Sequence, residues 1–209
     1  MNKTVLIIFG VFAAFVIVVV LAAIGTYNGL VNRSQAVDAQ WAQVQNVYQR
    51  RAELIPNLVA TVSGAANFEK STLTEITEAR ASVGKVQISN NTAPTDPAQL
   101  AEFEKAQGAL SSALSRLLVV SENYPTLRAT ENFRTLQSEI EGSENRIAVE
   151  RGRFNDMARD YNASIQRVPA VFFAAALGFK EKAYFAAAAG ADKAPTVQFD
   201  FSKPATAKP

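Results

Sequence analysis

Glu139, Glu141, Glu144 and Glu150 crowd one short stretch of the chain. Carboxylates at that density could hold magnesium or calcium. Di-iron helical bundles use glutamates together with Glu-x-x-His, but this 209-residue chain has no histidine and no cysteine. The same absence removes Ser-His and Cys-His catalysis, thiolate or imidazole zinc sites, iron–sulfur clusters and disulfides. The glutamates also interleave with Arg134, Arg146, Arg151 and Arg153, as on a solvated helix with i,i+4 ion pairs. Neither a phosphate-binding glycine loop nor a Gly-x-Ser-x-Gly elbow is present. The expectation is therefore no catalytic residue, no metal ligand and no cofactor. A carboxylate-metal hydrolase in a helical bundle is the rival from another class.

A second constellation repeats an aromatic ring beside a carboxamide. Phe154-Asn155 and Tyr161-Asn162 lie seven residues apart, and Tyr27-Asn28 sits far upstream. Phe133, Ile140, Ile147, Phe154, Tyr161 and Val168 form one seven-residue column, a packing seam to which both rings belong. Each asparagine follows about 100° further round the helix, on the shoulder of the seam. There it is either solvated or reaches a neighbouring helix and fixes register. RRAELIPNLV, residues 50–59, raises a related question. Arg50 and Arg51 could grip a partner carboxylate or a lipid phosphate. The commoner arrangement ties adjacent helices through an acid such as Glu53 or Glu122. Pro56 lacks an N–H, should bend its helix and leaves the carbonyl of Ala52 short of a partner, which Asn57 is placed to help satisfy.

The elements that must position these residues begin with VLIIFGVFAAFVIVVVLAAI, Val5 to Ile24, which carries no charge. At ~1.5 Å per residue it spans ~30 Å, the thickness of a bilayer's hydrocarbon core. A buried core helix would show a polar face, and this segment has none. A cleaved signal peptide usually has a shorter apolar stretch, although Val20-Leu21-Ala22 resembles a cleavage motif. An uncleaved anchor is expected, with Val5, Phe9, Phe12, Phe15, Val20 and Ile24 among its lipid-facing residues. Lys3 and the terminal amine against a lone Arg33 lean towards an N-terminus inside.

Beyond the anchor, apolar spacing predicts helix from Tyr27 to about Val83. Trp41, Tyr48, Ile55, Val62, Ile76 and Val83 share one heptad grid, which Glu69 interrupts. GKVQISNNTAPTDP reads as a linker. Asp96 then N-caps a helix that starts at Pro97 and runs to about Asn123, before Tyr124-Pro125. A last helix opens near Thr130 and ends before Pro169. Only TVQFDF near the end alternates with period two. The fold class is all-α, an N-terminal transmembrane helix followed by an antiparallel bundle of long helices. Its parts are the anchor (1–26), the bundle (27–169) and an apolar tail (170–209). In the tail Phe172, Phe173, Phe179, Tyr184 and Phe185 could cap the bundle or bind a protein partner. They could equally lie in the membrane interface with Lys180 and Lys182 towards headgroups. A formal charge of +2 without a basic cluster argues against nucleic acid.

Lengths bear on self-association. If the chain turns at Pro125 and the last helix runs back away from the membrane, the stem bearing Trp41, Val44 and Tyr48 stays uncovered. It would then pack against sister subunits as a homo-oligomer. The competing geometry has only a kink at Pro125, so that the last two helices descend together and cover the stem. The turn is favoured, because Thr130 offers a fresh N-cap.

The N-terminal anchor, Tyr27-Asn28, RRAELIPNLV, NYPTLRATENF (123–133) and YNASIQRVP together resemble the LemA family over nearly the whole chain. Two departures stand out: the family usually has Tyr-Asn where this chain has Phe154-Asn155, and often His-Glu at Phe68-Glu69. The resemblance implies a bacterial inner-membrane protein with one span. It implies partners, a TPM-domain protein or a membrane metallopeptidase, more than a reaction. It also implies an N-terminus outside the cytoplasm, opposite to the charge bias, so the side of the body stays open. The function expected is a membrane-anchored helical scaffold or interaction module, or an assembly protein that works by oligomerising.

Overall fold

In the computed structural model, residues 3–65, 68–86, 88 and 92–186 are described. They form α1 (Lys3–Ser63), α2 (Lys70–Lys85), α3 (Pro97–Ser121), a short α4 (Pro125–Arg128), α5 (Glu131–Ile165) and a 3-10 turn, Ala170–Phe172. No strand occurs among the described residues, so the all-α expectation holds. TVQFDF lies outside them.

Sequence dictates most boundaries. Asp96 accepts a hydrogen bond from the Ala98 amide at 2.9 Å and Pro97 opens α3. Thr130 caps α5 by accepting from the Phe133 amide at 3.4 Å. The predicted single helix from Tyr27 to Val83 is corrected. α1 stops at Ser63, the chain reverses through Gly64 and Ala65, and α2 runs back as a separate helix. Ser63 donates to the Val59 carbonyl and the Ala65 amide to the Val62 carbonyl, closing the last turn. Glu69, the interruption in the heptad grid, stands as the N-cap residue of α2.

That extra reversal changes the topology. α1 rises, α2 descends, α3 rises and α5 descends along α1, while α2 lies against α3. The turn at Tyr124-Pro125 forms, and Tyr124 packs on Phe68 at 4.8 Å between ring centres. The last helix nevertheless comes down, not up, and covers the stem. Trp41 and Val44 are wholly buried, with Trp41 against Phe103 and Phe154 of the same chain. The uncovered stem inferred from helix lengths does not exist.

The apolar interior is in two pieces. The lower one gathers Leu30, Val37, Trp41, Val44 and Tyr48 of α1 with Phe103, Ile147, Phe154, Tyr161 and Phe185. The upper one gathers Ile55, Leu58 and Val62 with Ile76, Leu110, Leu117, Phe133 and Ile140. Below both, no side chain from Val5 to Ile24 is buried within the chain, and all but Ala13 and Ala23 stand exposed. α1 is therefore one continuous helix from an apolar, membrane-length segment into both cores, ~90 Å long. Pro56 lies exposed within it, and the helix continues past to Ser63.

Candidate interaction site

Between the two apolar pieces lies a polar tier. Arg51 is 1% exposed. Its Nη1 donates to Glu144 at 2.6 Å and to Ser111 at 2.7 Å, and its Nη2 donates to the side-chain carbonyl of Gln107. The Ser111 hydroxyl also donates to Glu144 at 3.1 Å, so α1, α3 and α5 meet in one network. Arg51 lies 5.3 Å from the Tyr48 ring centre. Burial pushes the Tyr48 phenol pKa up, and the nearby Arg151 and Arg51 charges partly oppose it. Arg51 thus ties helices, but through Glu144 and not through Glu53 or Glu122. Glu53 instead accepts from Gln49, and Arg50 is exposed. Asn57 is exposed too, and no described hydrogen bond carries its carboxamide to the Ala52 carbonyl.

The paired asparagines have a different target from a neighbouring helix. Asn155 donates to the Phe185 carbonyl and accepts from the Phe185 amide, both at 2.9 Å. Asn162 does the same to Lys182, both at 2.9 Å, and also donates to the Tyr184 hydroxyl. Each carboxamide acts as a strand partner would, satisfying both backbone groups of one tail residue. Seven helical residues rise ~10.5 Å, and three extended residues span ~10 Å. A heptad of α5 therefore matches residues 182 to 185 of an extended chain.

The clamped tail completes the lower core. Phe185 stacks on Trp41 at 6.0 Å and meets Phe154 edge-on at 5.5 Å, while the Arg151 guanidinium covers its other side at 4.5 Å. Arg151 also pairs with Glu104 of α3. The Ala183 amide donates to the Pro94 carbonyl at 2.8 Å. Lys182 is buried, and its ammonium reaches Asp38 at 2.8 Å. Lys182 does not face headgroups. Tyr27 packs edge-on against Phe179 at 5.7 Å, whereas Asn28 is exposed. Phe172 is 78% exposed, Tyr184 is half-exposed and Phe173 is partly buried.

The glutamates do not converge. Glu141 accepts from Gln137, Glu144 serves Arg51, and Glu150 accepts from Gln40 and Arg153. No group of three or more acidic side chains suited to a metal ion occurs among the described residues. An open groove of about 450 Å³ at the distal end is lined by Thr61, Gly64, Ala65, Thr126, Leu127, Thr130 and Asn132, none of them titratable. Sequence reasoning missed Gln107, Ser111, Asp38 and Glu104. Isolated polar residues between apolar heptad positions were the available signal.

An exposed apolar segment continuous with a four-helix body defines a membrane-associated helical protein. The LemA family model matches residues 40–199, and the chain belongs to the LemA family. It is 25% identical over 178 residues to magnetosome protein MamQ of Magnetospirillum gryphiswaldense, covering 76% of this chain and 64% of that protein. It is 28% identical to magnetosome protein MamQ 2 of Paramagnetospirillum magneticum with the same coverage. Protein LemA of Metamycoplasma hominis is 24% identical over 143 residues, covering 68% of this chain and 60% of that protein. The chain thus spans less than two thirds of the length of these relatives.

Proposed function

We propose that this chain is a single-pass protein of the bacterial inner membrane that acts as a non-catalytic scaffold, presenting a helical body to partner proteins. The observation that carries the proposal is the unbroken α1. The same helix is the membrane-length segment and a core strut of the bundle, so the distal groove stands ~60 Å beyond Ile24. The polar chemistry supports this reading, because Arg51, Glu144, Lys182, Asp38, Asn155 and Asn162 are engaged with one another or with backbone. Relatives named for the magnetosome, and not for a reaction, point the same way. Membrane partners of the TPM-domain or metallopeptidase kind are part of the proposal. Self-association stays part of the proposal, through a surface other than the Trp41 stem, which is occupied within the chain. A photo-crosslinker at Thr126, in intact cells, is expected to give discrete adducts with a membrane protein. Turnover of a phosphoester or peptide by the purified full chain, abolished by Glu144→Gln, would overturn the proposal.

A further inference from the structure

We infer that residues 167–180, the loop joining α5 to the clamped tail, form a second membrane contact that seats the bundle on the lipid headgroups. The inference rests on Val5–Ile24 spanning the bilayer. α5 meets α1 in one antiparallel register, with Glu144 at Arg51 and Phe154 at Trp41. Ile165 therefore reaches the level of Leu30, and both are in the lower core. The chain next packs the 3-10 turn against α1 and places Phe179 on Tyr27.

Tyr27 lies three residues past Ile24, ~4.5 Å along the helix. The polar layer of a bilayer is roughly 5–8 Å thick on each side. Tyr27, Phe179 and the loop that carries Phe179 therefore fall inside that layer. The loop's surface suits it. Val168 is 75% exposed and Phe172 78%, with Val171 and Leu177 about half-exposed. Four large apolar side chains exposed within ten residues of chain mark a contact surface rather than a solvated one. Arg167 and Lys180 are exposed at the two ends of the loop, where their cations meet lipid phosphates. The interior side of the same loop is fixed: Ala170 and Ala174 are buried, the Phe179 amide donates to the Ala174 carbonyl, and Gly178 takes φ +84° to make the reversal. Leaving apolar surface on the headgroup side and burying it at the acyl boundary is how interfacial segments bind.

The cysteine-free chain permits a direct test. The full-length protein carries one introduced cysteine, Phe172→Cys or Leu177→Cys, labelled with an environment-sensitive fluorophore. It is reconstituted in phosphatidylethanolamine–phosphatidylglycerol liposomes with and without nitroxide-bearing lipid. Phe12→Cys reports the span, and Val119→Cys reports an exposed apolar site on distal α3. Probes at 172 and 177 are expected to lose fluorescence to nitroxide lipid nearly as strongly as the probe at 12, with the probe at 119 unaffected. Quenching at 12 but not at 172 or 177 would overturn the seat alone. A probe at 172 shielded from water yet untouched by nitroxide lipid would assign the loop to a protein neighbour and also overturn it. Loss of quenching at 12 would sink the spanning reading and the seat together.

Discussion

Asn162 shows how one side chain sets the fate of a whole segment. Lys182, its partner, is buried, so the two backbone groups that Asn162 satisfies have no water to turn to. Each buried group left unpaired costs about 1–3 kcal/mol. Asn162→Leu should therefore lower stability by about 2–4 kcal/mol, although the sequence alone suggests that an apolar residue there leaves the fold intact or even raises its melting temperature. Thermal unfolding of the full chain in detergent checks the magnitude. Trypsin checks the site, because cleavage after Lys182 should accelerate in the variant. Unchanged cleavage would mean that the carboxamide does not hold the tail. The heptad spacing of Asn155 and Asn162 was visible in the sequence. Their ligand was not, because residues 179–186 are extended without strand alternation and carry no periodicity pointing back to α5.

At the scale of elements, the boundaries that rest on local chemistry were legible and the one that rests on geometry was not. Asp96-Pro97 and Thr130 announce helix starts because a short oxygen acceptor must meet free amides there. Ser63-Gly64-Ala65 contains no proline, and its apolar flanks keep helical spacing, so the reversal was hidden behind a nearly continuous heptad. Missing it inverted the direction of every later helix and left Trp41 facing an imaginary sister subunit. In the observed fold Trp41 touches α3, α5 and the tail. Trp41→Glu should cost about 4 kcal/mol or more, from a lost aromatic core and a buried charge. Denaturant unfolding of the detergent-solubilised protein should show that loss without any change of mass. A variant that instead dissociated while keeping its midpoint would restore the stem as an interface.

For the whole molecule, two apolar cores stacked along α1 and parted by the Arg51 tier bring two titratable phenols into the interior. Burial raises the pKa of Tyr48, and burial likewise raises that of Tyr161, offset in part by a hydrogen bond with Ser34. Both phenols are held neutral in the folded state beyond the pH at which they ionise unfolded, near 10. Their contribution is therefore complete below that pH and lost as pH rises through the higher folded values. The melting temperature should hold level into mild alkali and fall above about pH 10. In a phenolate absorbance titration of the folded protein, the Tyr48 and Tyr161 phenols should ionise only above their unfolded value. Tyr48→Phe should move part of that fall to higher pH. The unbroken α1 has a consequence of another kind. It makes the protein a drive shaft: one residue inserted between Ile24 and Leu30 would turn everything above it by ~100° and lift it by ~1.5 Å. Were one neighbour to grip the span and another to touch the distal groove, the two would be keyed to one angular setting, as two cams are on one axle.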